Sequence, residues 1–230
     1  MNPFLIRAVI FDFDGVLFDS EPVRFRAGAE ALAQIGVTLA WEDFVRCWLG
    51  RTDEAGLTEI LGNRFASEGP QVIERRNAIY EQRLDEVQPY PDAGRFLRRI
   101  PQGTRLAIAT GSRRAEVEGI LWRAVMTQSF QAIVTAEDYT RPKPAPEPFQ
   151  IAARLLQLSP ASCLVVEDSP AGVAASEAAG MPVVAVERGR EVLGLERATW
   201  KVATLDDLTL TPRGEVVVRG NPAVGRNPAA

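Results

Sequence analysis

The sequence predicts an α/β protein, a doubly wound parallel sheet that carries an inserted α-helical cap. Two observations favour this fold class. Short apolar segments alternate with helical patterns along most of the chain, and one long stretch interrupts the alternation with helical periodicity alone. With 230 residues, of which 46% are hydrophobic, the chain can bury one substantial core and a smaller appendage.

Five apolar segments predict the strands of the sheet, because each is short and is followed by a turn or by the start of a helix. They cover residues 8–11, 106–109, 132–134, 163–166 and 182–186. Helical patterns separate most of them, at about residues 112–122, 146–156 and 169–179. Strands that alternate with helices in this way form a parallel sheet covered by helices on both faces.

Residues 20–88 predict a helical insertion after the first strand, because several amphipathic stretches follow one another there without a convincing strand. Both ends of the insertion contain prolines, as expected of segments that connect two domains. We therefore expect a core at residues 1–19 and 89–210 and a cap at 20–88. Residues 211–230 predict a flexible tail, although 215–218 are suited to pair as a short strand.

Composition excludes several classes of protein. The formal net charge of -4 argues against a nucleic-acid partner. No segment approaches the roughly 18 apolar residues of a membrane span, and we expect a cytoplasmic protein without a membrane partner. Cys47 and Cys163 lie among apolar neighbours, which predicts two reduced, buried thiols.

The chain contains no histidine, which excludes imidazole zinc sites and Ser-His or Cys-His nucleophile pairs. Acid–base chemistry near neutral pH is therefore left mainly to carboxylates. Lys143 and Lys201 are the only lysines in a chain that otherwise uses arginine. This bias makes Lys143 conspicuous.

Polar residues follow the predicted strands at the edge where their carboxyl ends meet, which is where ligands bind in open parallel sheets. These segments are Asp12-Phe13-Asp14-Gly15, Thr110-Gly111-Ser112 and Glu167-Asp168-Ser169, with Lys143 arriving from the loop after the third strand. Acids, hydroxyls and free amides at helix starts are therefore expected to converge at one place.

These residue types fit phosphoryl transfer, in which a cation and fixed donors must neutralise two approaching anions. Asp12 is placed to attack phosphorus, and Asp14 to protonate the leaving oxygen and later to take a proton from water. Asp12 and Asp168 can hold Mg²⁺ through oxygen, while Lys143 adds a second positive charge. The Thr110 hydroxyl and the amides around Gly111 can hold phosphate oxygens.

Four ordered segments resemble the motifs of the haloacid dehalogenase superfamily. Asp12-Phe13-Asp14-Gly15-Val16-Leu17-Phe18-Asp19-Ser20 is similar to its first motif, and Thr110 to the second. Lys143 in Arg-Pro-Lys-Pro-Ala-Pro-Glu-Pro-Phe resembles the third, and the segment from Val166 to Gly172 the fourth. The resemblance extends to about Leu208 and includes the position of a helical cap.

Within that superfamily the chain resembles the branch of β-phosphoglucomutase and of small sugar-phosphate or phosphoglycolate phosphatases. The resemblance implies Asp12 as nucleophile, Asp14 as acid/base and as a metal ligand through its carbonyl, and Asp168 as a metal carboxylate. Glu167 is either a metal contact or a solvated neighbour of Asp168. Ser169 has a sufficient explanation as the N-cap of the following helix.

Gly111 and Ser112 in the core, and Arg51 and Arg76 in the cap, are the expected substrate-binding residues. The alternative for Arg76 is a solvated helical face.

We expect a Mg²⁺-dependent phosphatase that acts on a small phosphorylated metabolite. Two alternatives are a phosphosugar mutase of the β-phosphoglucomutase type and a catalytically idle binding or regulatory protein on the same fold. Arg24 favours the phosphatase, because in the mutase this segment carries a histidine that links cap closure to proton transfer. An arginine stays charged and cannot relay a proton.

Overall fold

The structure, a computed structural model, describes residues 5–189 and 192–219. In chain order the strands are β1 (Ala8–Phe11), β2 (Phe18–Asp19), β3 (Gln88–Pro89), β4 (Arg105–Ala109), β5 (Ala132–Val134), β6 (Cys163–Glu167), β7 (Val183–Val186), β8 (Trp200–Val202), β9 (Leu208–Leu210) and β10 (Val216–Val218). The helices are α1 (Glu21–Ala33), α2 (Trp41–Cys47), α3 (Asp53–Leu61), α4 (Phe65–Glu81), α5 (Pro91–Arg99), α6 (Arg114–Arg123), α7 (Glu147–Leu155) and α8 (Pro170–Ala178).

Within the described residues, six parallel strands form the main sheet in the order β5-β4-β1-β6-β7-β8. The five predicted strands are all present, and so is the α/β fold with a helical region between β1 and β4. The sequence analysis missed β8, an edge strand of three residues with Lys201 at its centre. A strand at the edge of a sheet needs no continuous apolar run, so it leaves a weaker signal than a central strand.

The centre of the sheet is dry because its strands are apolar on both faces. Every residue of β1, β6 and β7 is buried. Side chains of α7 and α8, including Phe149 and Val173, complete a core that also contains Cys163. Both cysteines are free and buried, as predicted, and burial raises the pKa of the Cys163 thiol to about 11.

The chain forms two compact units, Met1–Asp19 with Pro89–Ala230 and Ser20–Gln88. The second unit contains α1 to α4 around an aromatic and aliphatic cluster that includes Leu32, Phe44, Trp48 and Leu57. It therefore has an apolar core of its own.

Part of the predicted tail is folded, because β10 pairs with β9 in an antiparallel hairpin. The short strand that the sequence suggested at 215–218 is thus present at 216–218. The remainder of that prediction, from residue 220, lies outside the described residues. Among the described residues, no helix combines the length and apolar character that a membrane crossing requires.

Candidate active site

A lysine with only 12% of its side chain exposed links two carboxylates at the carboxyl edge of the sheet. Asp12 follows β1 and Glu167 ends β6, and the two strands are neighbours with Phe11 opposite Val166. The Nζ atom of Lys143 donates to Asp12 Oδ1 at 2.7 Å and to Glu167 Oε1 at 2.6 Å. Glu167 has no exposed surface and Asp12 is 8% exposed, so this contact is made away from bulk water. The low local dielectric strengthens it.

Burial and charge act in opposite directions on these groups. Burial raises the pKa of Asp12 to about 7, against the lowering effect of Lys143, and the nearby carboxylates of Glu167 and Asp14 add to the rise. Burial alone would lower the pKa of Lys143, but the charges of Asp12 and Glu167 outweigh it and hold that pKa above its ordinary value. Lys143 is therefore a fixed cation, and further positive charge near Asp12 would favour the ionised form of that carboxyl group.

Asp168 completes an acidic cluster. Asp12, Glu167 and Asp168 each offer an oxygen atom, and these atoms lie within 4.8 Å of one another. Oxygen ligands and an excess of negative charge over the single Lys143 suit a hard divalent cation. This donor set could therefore hold an ion.

Two glycines leave the space that these carboxylates occupy. A Cβ atom at Gly15 would stand 1.9 Å from Asp168 Oδ2, and Gly15 has a φ of +75°. A Cβ atom at Gly172 would stand 1.8 Å from Glu167 Oε1. Residues with a side chain at either position would displace an acid of the cluster.

Glu167 is anchored by the start of α8. Its Oε2 atom accepts hydrogen bonds from the amide of Asp168 at 2.9 Å, the amide of Ser169 at 3.0 Å and the Ser169 hydroxyl at 2.9 Å. Interpreting Glu167 as a solvated neighbour of Asp168 is therefore wrong, because the residue is fully buried and held by four donors. Ser169 is the N-cap as expected, accepting from the Gly172 amide at 3.0 Å, and it also fixes Glu167.

A second set of hydrogen bonds connects the loops after β1 and β4. The Ser112 hydroxyl donates to Asp14 Oδ2, and the Ser112 amide donates to Thr110 Oγ1 at 3.0 Å. Thr110 is 1% exposed, and its amide donates to Val134 on the next strand. The Ser112 side chain therefore lies beside Asp14, and the Thr110 side chain holds the Ser112 amide.

Tyr139 also contributes to the candidate site, although no sequence pattern predicted it. Its hydroxyl donates to the Thr110 carbonyl at 3.1 Å and so ties the loop after β5 to the loop after β4. Tyr139 belongs to no periodic pattern. The signal available in the sequence was the position of Tyr139 in the segment that leads to Lys143.

The two cap arginines differ in their surroundings within the Ser20–Gln88 unit. Arg51 forms an ion pair with Glu59 and has 47% of its side chain exposed. Arg76 is 5% exposed, donates to Asp53 Oδ2 at 3.2 Å and lies against the rings of Trp48 and Tyr80. The solvated-face alternative for Arg76 is therefore wrong, and its contacts make it part of the interior of this unit.

Comparison with known families decides the identity of the fold. The family model of haloacid dehalogenase-like hydrolases matches residues 9–186. The chain belongs to this hydrolase family. The match starts within β1 and ends with β7, so it covers every strand and loop that builds the site.

Relatives of this haloacid dehalogenase-like hydrolase include both mutases and phosphatases. It is 32% identical to β-phosphoglucomutase of Bacillus subtilis over 89% of this chain and 92% of the relative. It is 31% identical to the fructose-1-phosphate phosphatase of Escherichia coli over 77% of this chain and 95% of the relative. The crystal structure of a candidate phosphoglycolate phosphatase from Lactobacillus plantarum superimposes with a TM-score of 0.80 at 23% identity, over 88% of this chain and 97% of that one.

In this family member, seven of the residues singled out from sequence meet at one edge of the sheet. They are Asp12, Asp14, Thr110, Ser112, Lys143, Glu167 and Asp168. Gly111 lies between Thr110 and Ser112, and a Cβ atom there would stand 3.9 Å from the Tyr139 hydroxyl, an ordinary contact distance. The site is thus a buried acidic cluster with one lysine and two hydroxyl groups.

Proposed function

We propose that this chain is a Mg²⁺-dependent phosphatase that hydrolyses a small phosphorylated metabolite, such as a sugar phosphate, through an aspartyl phosphate on Asp12. The observation that carries the proposal is the contact of Lys143 with both Asp12 and Glu167, with the second acid Asp14 two residues from Asp12. Nucleophile, acid/base and fixed cation are then present together.

In the first half of the reaction a carboxylate oxygen of Asp12 attacks phosphorus and the bond to the leaving oxygen breaks. Asp14 gives its proton to that oxygen, which leaves as an alcohol. In the second half Asp14 takes a proton from a water molecule that attacks phosphorus. The bond between phosphorus and Asp12 then breaks and inorganic phosphate leaves.

Mg²⁺ would be held by Asp12, Asp168 and the carbonyl of Asp14, with Glu167 beside them, and would supply the positive charge that neutralises nucleophile and phosphate. Burial already opposes ionisation of Asp12, and the single charge of Lys143 does not outweigh it. A second cation beside Asp12 would lower the pKa of its carboxyl group and so favour the ionised nucleophile.

The phosphate oxygens are received by four groups: the side chains of Lys143, Thr110 and Ser112 and the amide of Gly111. The start of α6 is not available for this role, because the Arg114 amide already donates to the Glu137 carboxylate at 3.1 Å. Arg51 of the cap is proposed to recognise the remainder of the substrate, whereas Arg76 is held in the interior of the cap by Asp53 and the rings of Trp48 and Tyr80. Arg51 is the better placed of the two, because an exposed pair with Glu59 exchanges partners at little cost.

The second candidate is the mutase, favoured by the 32% identity to β-phosphoglucomutase. In a mutase the same aspartyl phosphate returns its phosphoryl group to the substrate. Arg24 argues against this outcome, and its guanidinium lies 4.7 Å from the centre of the Tyr80 ring within the cap. A permanently charged group stacked on an aromatic ring does not shuttle a proton.

One experiment separates the functions. The purified protein is incubated with Mg²⁺ and a panel of phosphorylated metabolites that includes fructose 1-phosphate, and released phosphate is measured. In parallel, β-glucose 1-phosphate with a trace of glucose 1,6-bisphosphate is assayed for glucose 6-phosphate. We expect phosphate release; glucose 6-phosphate without phosphate would identify a mutase. No Mg²⁺-dependent turnover of any ester, p-nitrophenyl phosphate included, would indicate the idle protein.

A further inference from the structure

Arg188 holds the loop that carries Asp14. It lies two residues after β7, at the same edge of the sheet as the candidate site. Its Nε atom donates to the carbonyl of Gly15 at 3.0 Å, and a terminal nitrogen donates to the carbonyl of Val16 at 2.5 Å. Only 8% of its side chain is exposed. A planar guanidinium thus engages two successive carbonyls of the loop with two of its donors.

The guanidinium is itself fixed from its other sides. Its remaining terminal nitrogen pairs with Asp92, which is 5% exposed and also accepts from Thr204 Oγ1 at 2.6 Å and the Leu205 amide at 2.8 Å. The ring of Tyr90 covers one face of the guanidinium, with 3.9 Å from Cζ to the ring centre. Charge pairing, hydrogen bonds and stacking therefore allow Arg188 little movement.

The backbone at Arg188 is strained. Its φ is +53°, in the left-handed region that residues with a Cβ atom seldom occupy. Strain of this kind persists only where the surrounding structure determines it, and it concentrates at functional positions. The amides of Glu187 and Arg188 donate to Val202 and Ala203, which hold the segment in place.

The loop from Phe13 to Phe18 makes only some of its backbone hydrogen bonds internally. Amides of Gly15, Leu17 and Phe18 donate to carbonyls within the loop. The carbonyls of Gly15 and Val16 face Arg188 instead. Because Asp14 directly precedes Gly15, a rotation of the peptide units that Arg188 holds would change the orientation of the Asp14 carboxylate, which accepts from the Ser112 hydroxyl.

We infer that Arg188 is a positioning residue for Asp14: by binding the Gly15 and Val16 carbonyls it fixes the orientation in which Asp14 transfers its proton. The inference rests on the proposed function, since it assigns a supporting residue to the proposed acid/base. Arg188 does not touch the reacting atoms. Its loss should therefore impair proton transfer more than phosphate binding.

The test is the dependence of kcat/KM on the leaving group. Aryl phosphates of increasing leaving-group basicity, p-nitrophenyl, p-chlorophenyl and phenyl phosphate, are compared at fixed Mg²⁺. A well-placed acid makes basic leaving groups easier to expel, and p-nitrophenolate leaves without protonation. In Arg188→Lys we expect a loss on phenyl phosphate about tenfold larger than on p-nitrophenyl phosphate, within the usual contribution of acid catalysis.

Further variants complete the design. Arg95→Ala removes an arginine that pairs with Asp206 on the surface and should leave the leaving-group dependence unchanged. In an Asp14→Asn background, Arg188→Lys should add no further dependence, because both changes act on one step. If Arg188→Lys does not fold, the double variant Asp92→Asn/Arg188→Gln removes both buried charges together, avoids an unpaired carboxylate and carries the same test.

Equal fold-losses of kcat/KM on all three esters, in Arg188→Lys or in the double variant, would overturn the inference. Arg188 would then contribute only to general stability. Added dependence in the Asp14→Asn background would overturn it as well. Failure of the proposed function looks different, because wild-type protein would then release no phosphate from any of the three esters.

Discussion

The candidate site and the Ser20–Gln88 unit use charge in different ways. At the candidate site in the unit formed by Met1–Asp19 and Pro89–Ala230, Asp12 and Glu167 are buried, Lys143 has only 12% of its side chain exposed, and the three share one set of hydrogen bonds. In the Ser20–Gln88 unit most ion pairs are exposed, as for Arg26 with Glu86 and Arg51 with Glu59, where more than a third of each side chain is accessible.

This difference separates two kinds of substitution: those expected to affect the turnover of every substrate and those expected to affect the turnover of only some. A buried charge that loses its partner leaves another charge unsolvated, whereas an exposed pair contributes at most about 1 kcal/mol. The buried acids are therefore expected to be essential to the chemistry itself. The exposed arginines are free to serve recognition.

The largest expected effect is that of Asp12→Asn. The variant should release no detectable phosphate from any ester, because the amide cannot form the aspartyl phosphate. Thermal unfolding should show that the protein remains folded. Asp206→Asn, an equivalent change at the exposed pair with Arg95, is the matched control and should retain activity. Substantial turnover by Asp12→Asn would remove the covalent mechanism.

Removal of metal should come next in size. EDTA is expected to reduce phosphate release to background, and added Mg²⁺ to restore it, since the acidic cluster needs a cation to accept a second anion. Asp168→Asn should raise the Mg²⁺ concentration needed for half-maximal activity. Full activity in EDTA after extensive dialysis would contradict the assignment of the cluster.

Gly172→Ala tests the packing of the cluster. Alanine normally stabilises a helix relative to glycine by about 1 kcal/mol. Here the added methyl group would overlap Glu167, so we expect a net loss of about 1–3 kcal/mol in the free energy of unfolding and lower activity on all esters. Denaturant unfolding and phosphate release measure both.

Gly94→Ala in α5 is the control for that change, because its nearest neighbour would be Arg98 at 3.6 Å. It should gain up to about 1 kcal/mol and leave activity unchanged. If Gly172→Ala behaved in the same way, Glu167 would not be held as tightly as its contacts indicate.

The smallest and most selective effect is expected for Arg51→Ala. Loss of one charged hydrogen bond to substrate, about 1.5–3 kcal/mol, would lower kcat/KM for the best metabolite of the panel by about 10- to 100-fold. Turnover of p-nitrophenyl phosphate should change little. Arg46→Ala is the control, since Arg46 pairs with the same Glu59 and is exposed. Equal losses on both substrates would make Arg51 a structural residue.

The sequence predicted the sheet and the central acids for a common reason. Each central strand is buried on both faces and so reads as a short apolar run, and each acid directly follows such a run. Local pattern was sufficient there.

The missed contributors depend on distant contacts. Tyr139 reaches Thr110 across 29 positions, and Arg188 reaches Gly15 across 173. Nothing in the periodicity of their own segments reports such a partner. Arg188 does follow a predicted strand, as the acids do, but arginine is so frequent in this chain that its position alone did not single it out.

The confinement of Lys143 between two carboxylates also has a practical consequence for chemical labelling. An amine reacts with acylating reagents only in its neutral form, and the raised pKa and burial of Lys143 both oppose that reaction. Lys201, whose side chain is 38% exposed, is the other lysine of the chain. Dyes or solid supports attached through lysine side chains would therefore be directed to a single position and would leave the Lys143 ammonium unmodified.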